Sequence, residues 1–197
     1  MRIYFAVISI VAFVLTMAIA ANSENSMSIL SDHKVLLRYE NGTMLAANGK
    51  YDEAIQYLDK VIDSYPDFVG GWTFKGKALT GKGEYDEAMQ CFNNAIELSP
   101  DYEVAWEGKG IVLFKQKKLN ESIQCFDQAI EVGPQIAEGA FYYKNEILYQ
   151  QGKYNEMLQC CKKSLALHPR QSSIWDYEGL AYAKLGKLVS RQLSSVG

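Results

Sequence analysis

The chain has 197 residues, 48% of them hydrophobic and 22% charged, with a net charge of −3. That balance is the balance of an ordinary soluble fold, and without a Lys/Arg-rich block it excludes a nucleic-acid footprint. Four prolines and no Ser/Gly-rich or Gln-rich tract leave little room for disorder beyond a short N-terminal stretch.

Residues 1–21 read MRIYFAVISIVAFVLTMAIAA: one cation, Arg2, then nineteen positions without a charge. The ending Ala18-Ile19-Ala20 has the small-x-small pattern of a signal peptidase site. Two expectations stay open. A cleaved signal peptide is favoured by that ending, while an uncleaved anchor remains possible because residues 3–21 approach the roughly 20 that span a bilayer. Arg2 inside, with Glu24 and Asp32 beyond the stretch, fits both. The rest of the chain is expected to be secreted or extracytoplasmic, or membrane-anchored by this segment. Residues 22–34 read as a polar linker.

From residue 35 onward two kinds of helical stretch alternate. The first kind covers 35–49, 69–83, 103–117, 138–152 and 172–186. The second kind closes on Pro66, Pro100, Pro134 and Pro169, which are all the prolines present. In the second kind Asp52, Asp86, Asn120 and Asn155 stand where N-capping side chains are expected, each followed by Glu. Tyr85, Ala88, Met89, Phe92, Ala95, Ile96 and Leu98 then form one apolar face.

The alternation is a repeat. MQCF at 89–92, IQCF at 123–126 and LQCC at 158–161 recur at intervals of 34 and 35 residues. Trp72, Trp106 and Trp175 share one column, with Phe141 and Arg38 in the other units. Gly42, Gly76, Gly110 and Gly179 share the column four residues on. Mid-helix glycine costs about 1 kcal/mol relative to alanine, so its recurrence predicts close helix–helix approach.

These columns resemble the tetratricopeptide repeat, whose pattern is Trp-x2-Leu-Gly-x2-Tyr, then Ala-x3-Phe, then Pro. Trp72, Gly76, Ala88, Phe92, Ala95 and Pro100 match it, as do Trp106, Gly110, Phe126, Ala129 and Pro134, with Ser122 in the small-residue column. Trp175, Gly179 and Tyr182 match in the last unit. Units are expected at 35–68, 69–102, 103–136 and 137–171, with a partial fifth or cap at 172–197. Lys75 and Lys109 replace the Leu, Asn145 replaces the glycine, and one extra residue falls between Pro134 and Phe141. The resemblance implies an all-α superhelix of about four and a half helix-turn-helix units, stabilised by nearest-neighbour interfaces.

In this family the first helix of each unit lines a concave groove that holds peptides or extended segments of partner proteins. Offset from the Trp and Gly columns, the groove residues are expected to be Tyr39, Thr73, Glu107, Tyr142 and Asp176; Thr43, Lys77, Ile111, Glu146 and Leu180; and Phe114 and Tyr149. Such a surface is aromatic, with three acids against one cation, Lys77, and suits a segment with apolar and basic side chains. The Lys, Asn and Arg clamp that some members use on a C-terminal carboxylate is absent.

Little else points to chemistry. No phosphate-binding glycine loop, nucleophile triad or metal-ligand set can be assembled, so neither enzyme activity, a cofactor nor a metal is expected. Asn41-Gly-Thr43 and Asn120-Glu-Ser122 are glycosylation patterns, but both fall in predicted helices. His33 and His168 read as surface residues. Cys91, Cys125 and Cys160 share one column, where axes about 8–10 Å apart exceed disulfide reach, so they and Cys161 read as small apolar residues.

After Gly186 only one or two more helical turns fit, and Ile174, Ala181 and Leu185 are expected to lie partly exposed at that edge. The expected function is therefore a protein-interaction scaffold with no nucleic-acid partner. The alternative is a structural solenoid that self-associates through its unfinished C-terminal unit.

Overall fold

The computed structural model describes residues 34–194, with side chains over 34–186. The signal or anchor segment, almost all of the linker and His33 lie outside these residues. Among the described residues there are nine helices and no strand. They are α1 (34–47), α2 (Tyr51–Ser64), α3 (Val69–Lys82), α4 (Tyr85–Leu98) and α5 (Glu103–Lys115). Then follow α6 (Leu119–Val132), α7 (Glu138–Gln150), α8 (Tyr154–Leu167) and α9 (Ser172–Ser194). No described helix is long and apolar enough to cross a membrane.

Each even-numbered helix buries one stripe. In α6 the stripe is Ser122, Cys125, Phe126, Ala129 and Ile130, at the i, i+3, i+4, i+7 spacing of a single helix face. Odd-numbered helices are enclosed on two sides; α5 buries Ala105, Gly108, Gly110, Val112 and Leu113. Every helix from α2 to α9 packs on its sequence neighbour, and α3, α5, α7 and α9 also touch in series. The even-numbered helices do not touch one another. The odd-numbered helices therefore form the inner layer of a curved solenoid.

The glycine column carries the close approach. A Cβ placed at Gly76 or Gly110 would lie 2.9 Å from the Phe92 ring or 2.6 Å from the Phe126 ring, and at Gly42 it would lie 2.8 Å from Leu58. In the fourth unit Asn145 fills the glycine position, and the facing aromatic is Cys161. Asn145 is fully buried, donates to the Phe141 carbonyl (3.0 Å) and accepts from the Cys161 thiol (3.4 Å). The two departures complement each other: a smaller knob meets a larger floor, and the buried amide keeps its hydrogen bonds.

A second compensation spans the turns. The indole N–H of Trp72, Trp106 and Trp175 donates to the carbonyl of Pro66, Pro100 and Pro169 at 2.7, 2.8 and 3.0 Å. Phe141 has no such donor. There His168 Nε2 lies 3.1 Å from the Pro134 carbonyl, and its Nδ1 lies 3.3 Å from Glu138. The His168 side chain is only 8% exposed, which corrects its surface assignment. The extra residue of this unit is absorbed at Ala137, fully buried between the turn bond Ile136 N–H to Gly133 O and the start of α7.

Lys75, in place of leucine, pairs with Asp59 at 2.6 Å, and Lys109 donates to Asn93 at 2.8 Å. Lys144 meets Asp127 one unit further on. Each contact ties an inner helix to the outer helix of the unit before it.

Two local expectations need correction. Asp52, Asp86, Asn120 and Asn155 do not cap: the caps of α2, α4, α6 and α8 lie two residues earlier, at Lys50, Glu84, Lys118 and Lys153, with no side-chain cap bond. The Asp and Asn side chains stand in the first turn, where Asp52 and Asp86 still complement the helix dipole. The chain also does not break at Gly186, because α9 runs on to Ser194. Gly49, Gly83 and Gly152 turn the chain in the left-handed region (φ 76°, 92° and 70°), and Lys117 does so at 63°. Gly186, in the same column, stays helical.

Candidate functional site

The inner face is built by α1, α3, α5, α7 and α9, and its first column bridges consecutive units. Tyr39 is wedged between its neighbours. Its ring makes edge contacts with Phe68 and Phe74 at 5.0 and 5.5 Å, and its hydroxyl lies 3.2 Å from the Cβ position at Gly70. Burial pushes that hydroxyl's pKa up. Thr73 is fully buried and donates to the Val69 carbonyl at 2.9 Å, so it offers nothing to a ligand. Glu107 reaches the first turn of α7, where Gly139 leaves room for its carboxylate and Ala140 N–H donates to it. Burial raises this carboxyl above its usual range, and Lys77 pulls it back.

Lys77 lies 5.0 Å from the Phe74 ring centroid. Burial lowers its pKa, opposed by Glu107 and Glu103. Lys77, Glu107 and Ile111 line a cavity of about 680 Å³ together with Tyr51, Tyr85 and Lys115. Phe74, Tyr143 and Tyr177 form an aromatic column in which Gly108 is the missing member, and there the Phe92 ring packs so closely on the Gly108 backbone that a Cβ would clash with it. Lys82 and Lys115 at the rim add cations that the column reading missed, with Lys82 held by Asp52 (2.8 Å) and Glu84 (2.7 Å).

Tyr142, Asp176 and Leu180 meet at a second hollow of about 290 Å³ with Ser173 and Tyr177. Tyr142 packs edge-on against Tyr143 (5.4 Å) and Tyr177 (5.7 Å). The Tyr177 hydroxyl donates to Glu146 at 2.6 Å, and burial together with that carboxylate raises its pKa. Tyr177 is the main omission of the sequence reading. Its signal was the aromatic column two residues after the Trp column.

The remaining candidates stand apart from both hollows. Phe114 packs on Tyr143 (5.5 Å), and Tyr149 lies beneath Lys184 (5.7 Å). Thr43 is half-buried and donates to the Glu40 carbonyl at 2.9 Å. Among the described residues no group of His, Cys, Asp or Glu could hold a metal ion. All four cysteines are free and buried, and burial pushes the Cys91 and Cys160 thiols up to about 11 and Cys161 to about 12. Ser122, in the second glycosylation pattern, is fully buried and donates to the Gly110 carbonyl at 2.7 Å.

A curved stack of helix pairs with side chains converging on its inner wall defines a helical-repeat interaction scaffold. Family models described as TPR repeat and tetratricopeptide repeat match residues 76–117, 45–94 and 104–135. The chain is a tetratricopeptide repeat protein. The fold is shared with the crystal structure of MamA protein at 20% identity, over 77% of this chain and 82% of that one, with a TM-score of 0.64. YrrB, described as a TPR protein with an unusual peptide-binding site, is 18% identical over 74% of this chain and 75% of its own, with a TM-score of 0.57. No curated protein matches the sequence.

Proposed function

We propose that the chain is a non-catalytic scaffold that seats an extended segment of a partner protein along the inner face from α3 to α9. The observation that carries this reading is the convergence of inner-face side chains on two hollows of opposite character. Lys77 and Lys115 stand at the α3–α5 hollow, whereas Tyr142, Tyr177 and exposed Asp176 stand at the α7–α9 hollow. Glu107 and Glu146 are already engaged by Ala140 N–H and Tyr177. The segment that fits is apolar, with a basic side chain at the α7–α9 end and an acidic one near Lys77. Three helix steps of about 10 Å correspond to roughly nine extended residues. The apolar stretch 3–21 supports placing the scaffold on the outer side of a membrane, as a secreted or anchored protein.

Crosslinking in intact cells, with Lys77→Glu and Tyr142→Ala variants, tests the groove. Both are expected to lose at least about tenfold in captured partner while melting as the parent does. Unchanged capture by both would remove the groove assignment. A second reading, a solenoid stacking on its own copies through α9, draws on Trp175 and Tyr182, exposed by 53% and 52%. Light scattering over a concentration range separates the two, since a strict monomer eliminates stacking.

A further inference from the structure

The outward face of α9 repeats a surface that is covered everywhere else in the solenoid. Trp175, Gly179, Tyr182 and Gly186 lie at i, i+4, i+7 and i+11, on one side of the helix. The edge residues expected from sequence, Ile174 and Ala181, are instead fully buried, about 100° round the helix from Trp175 and Tyr182. At the position of Tyr182 the earlier units carry Leu79, Leu113 and Leu148, exposed by 1%, 5% and 1%. Gly179 shares the column of Gly42, Gly76 and Gly110, yet a Cβ there would meet nothing within 4 Å. The Trp175 N–H is satisfied by Pro169, so what remains open is an apolar ring beside an empty hollow. Helical backbone continues to Ser194, so residues 187–194 run onward and do not fold back over this face.

The internal units specify what fits. In the three units that keep the glycine, this face receives an antiparallel helix carrying a small residue and, four positions later, a larger one over the glycine: Ala54 and Leu58, Ala88 and Phe92, Ser122 and Phe126. We infer that the α9 face is a second binding surface, separate from the inner groove. Its ligand is one amphipathic helix of a partner protein with a small-x3-large apolar pattern, seated with the large side chain over Gly179.

A second copy of this chain does not supply that helix, since α2, α4, α6 and α8 have these faces buried within their own units. The exposed face of α1 does not match either. Leu37 and Met44 of α1, exposed by 50% and 61%, lie in the columns that face the preceding unit's outer helix, as Gly71 faces Val61 and Ile62 at 3.4 and 3.1 Å. Among the described residues, the end faces on α1 and α9 both fit an outer-type helix, and neither presents one.

The probe is a labelled peptide of residues 85–98, YDEAMQCFNNAIEL, titrated with the full chain and followed by fluorescence anisotropy. Saturable binding is expected. It should weaken by at least about tenfold when the peptide carries Phe92→Ala, because the knob is lost. It should weaken by a similar factor when the full chain carries Gly179→Leu, which fills the hollow from below. That variant should melt no lower than the parent, because the site is open and leucine favours a helix. The Phe92→Ala peptide against the unmodified chain keeps the test independent of that variant's folding. Equal binding by Gly179→Leu, or no saturable binding, would overturn the inference. So would a dimer of the chain that Gly179→Leu dissociates, since a second copy would then cover the face. Groove variants at Lys77 or Tyr142 leave this titration unchanged if the two surfaces are separate.

Discussion

The third and fourth units are built to the same plan from different parts. In the third, Gly110 lies under Phe126 and Trp106 holds the Pro100 carbonyl. In the fourth, Asn145 lies under Cys161, Phe141 replaces the indole, and His168 reaches back to the Pro134 carbonyl from the following turn. Both are closely packed, and in each the knob has its hole and the turn carbonyl its partner. What the repeat preserves is therefore the fit of a pair, a knob with its hole or a carbonyl with its donor. Each consensus residue is one solution to that requirement.

The comparison breaks most visibly if only half of a pair is exchanged. Gly110→Asn beneath an intact Phe126 puts new atoms within contact of the ring, and is expected to cost about 1–3 kcal/mol in chemical denaturation. Adding Phe126→Cys reproduces the pair of the fourth unit. The double variant should then be more stable than the sum of the two single changes predicts, by about 1 kcal/mol or more. Strict additivity would mean that Asn145 and Cys161 are unrelated departures.

A smaller effect is expected at the turn. His168→Ala leaves the Pro134 carbonyl without its partner and should cost about 1 kcal/mol. Phe141→Trp in that background should recover part of the loss, since removal of the imidazole opens space beside the ring and the indole restores a donor. No recovery would indicate that the contact of the His168 and Phe141 rings, 6.2 Å apart, outweighs the hydrogen bond.

The smallest change expected is a gain. Lys117 holds the left-handed conformation that Gly49, Gly83 and Gly152 hold in the other units. Lys117→Gly should stabilise the chain by roughly 0.5–1 kcal/mol, because a side chain in this region crowds its own backbone. A lower melting temperature would show that the Lys117 side chain, 5.8 Å from the Phe114 ring centroid, contributes more than the strain costs.

Much of the architecture was legible in the sequence, because a helix pair that cannot bury its own face must repeat, and the repetition leaves columns. The helices, the turn glycines and the close approach at Gly76 and Gly110 all follow from periodicity. Capping was misread because Asp and Asn favour both the cap and the first turn, and sequence alone does not separate positions two residues apart. His168 was misread because its partner lies a full repeat away. The inner face was only partly legible. Columns place a side chain on the wall, but they do not say that Thr73 is buried or that Glu107 is held by the next helix.

By itself, the sequence determined the unit, its period and the kind of surface that each helix presents. Local propensity and apolar spacing act over a few residues and recur with the chain. Only the tertiary structure decided which of those surfaces are spent and which are free. The same glycine column is closed by Phe92 and Phe126 yet open at Gly179, because burial depends on what packs opposite.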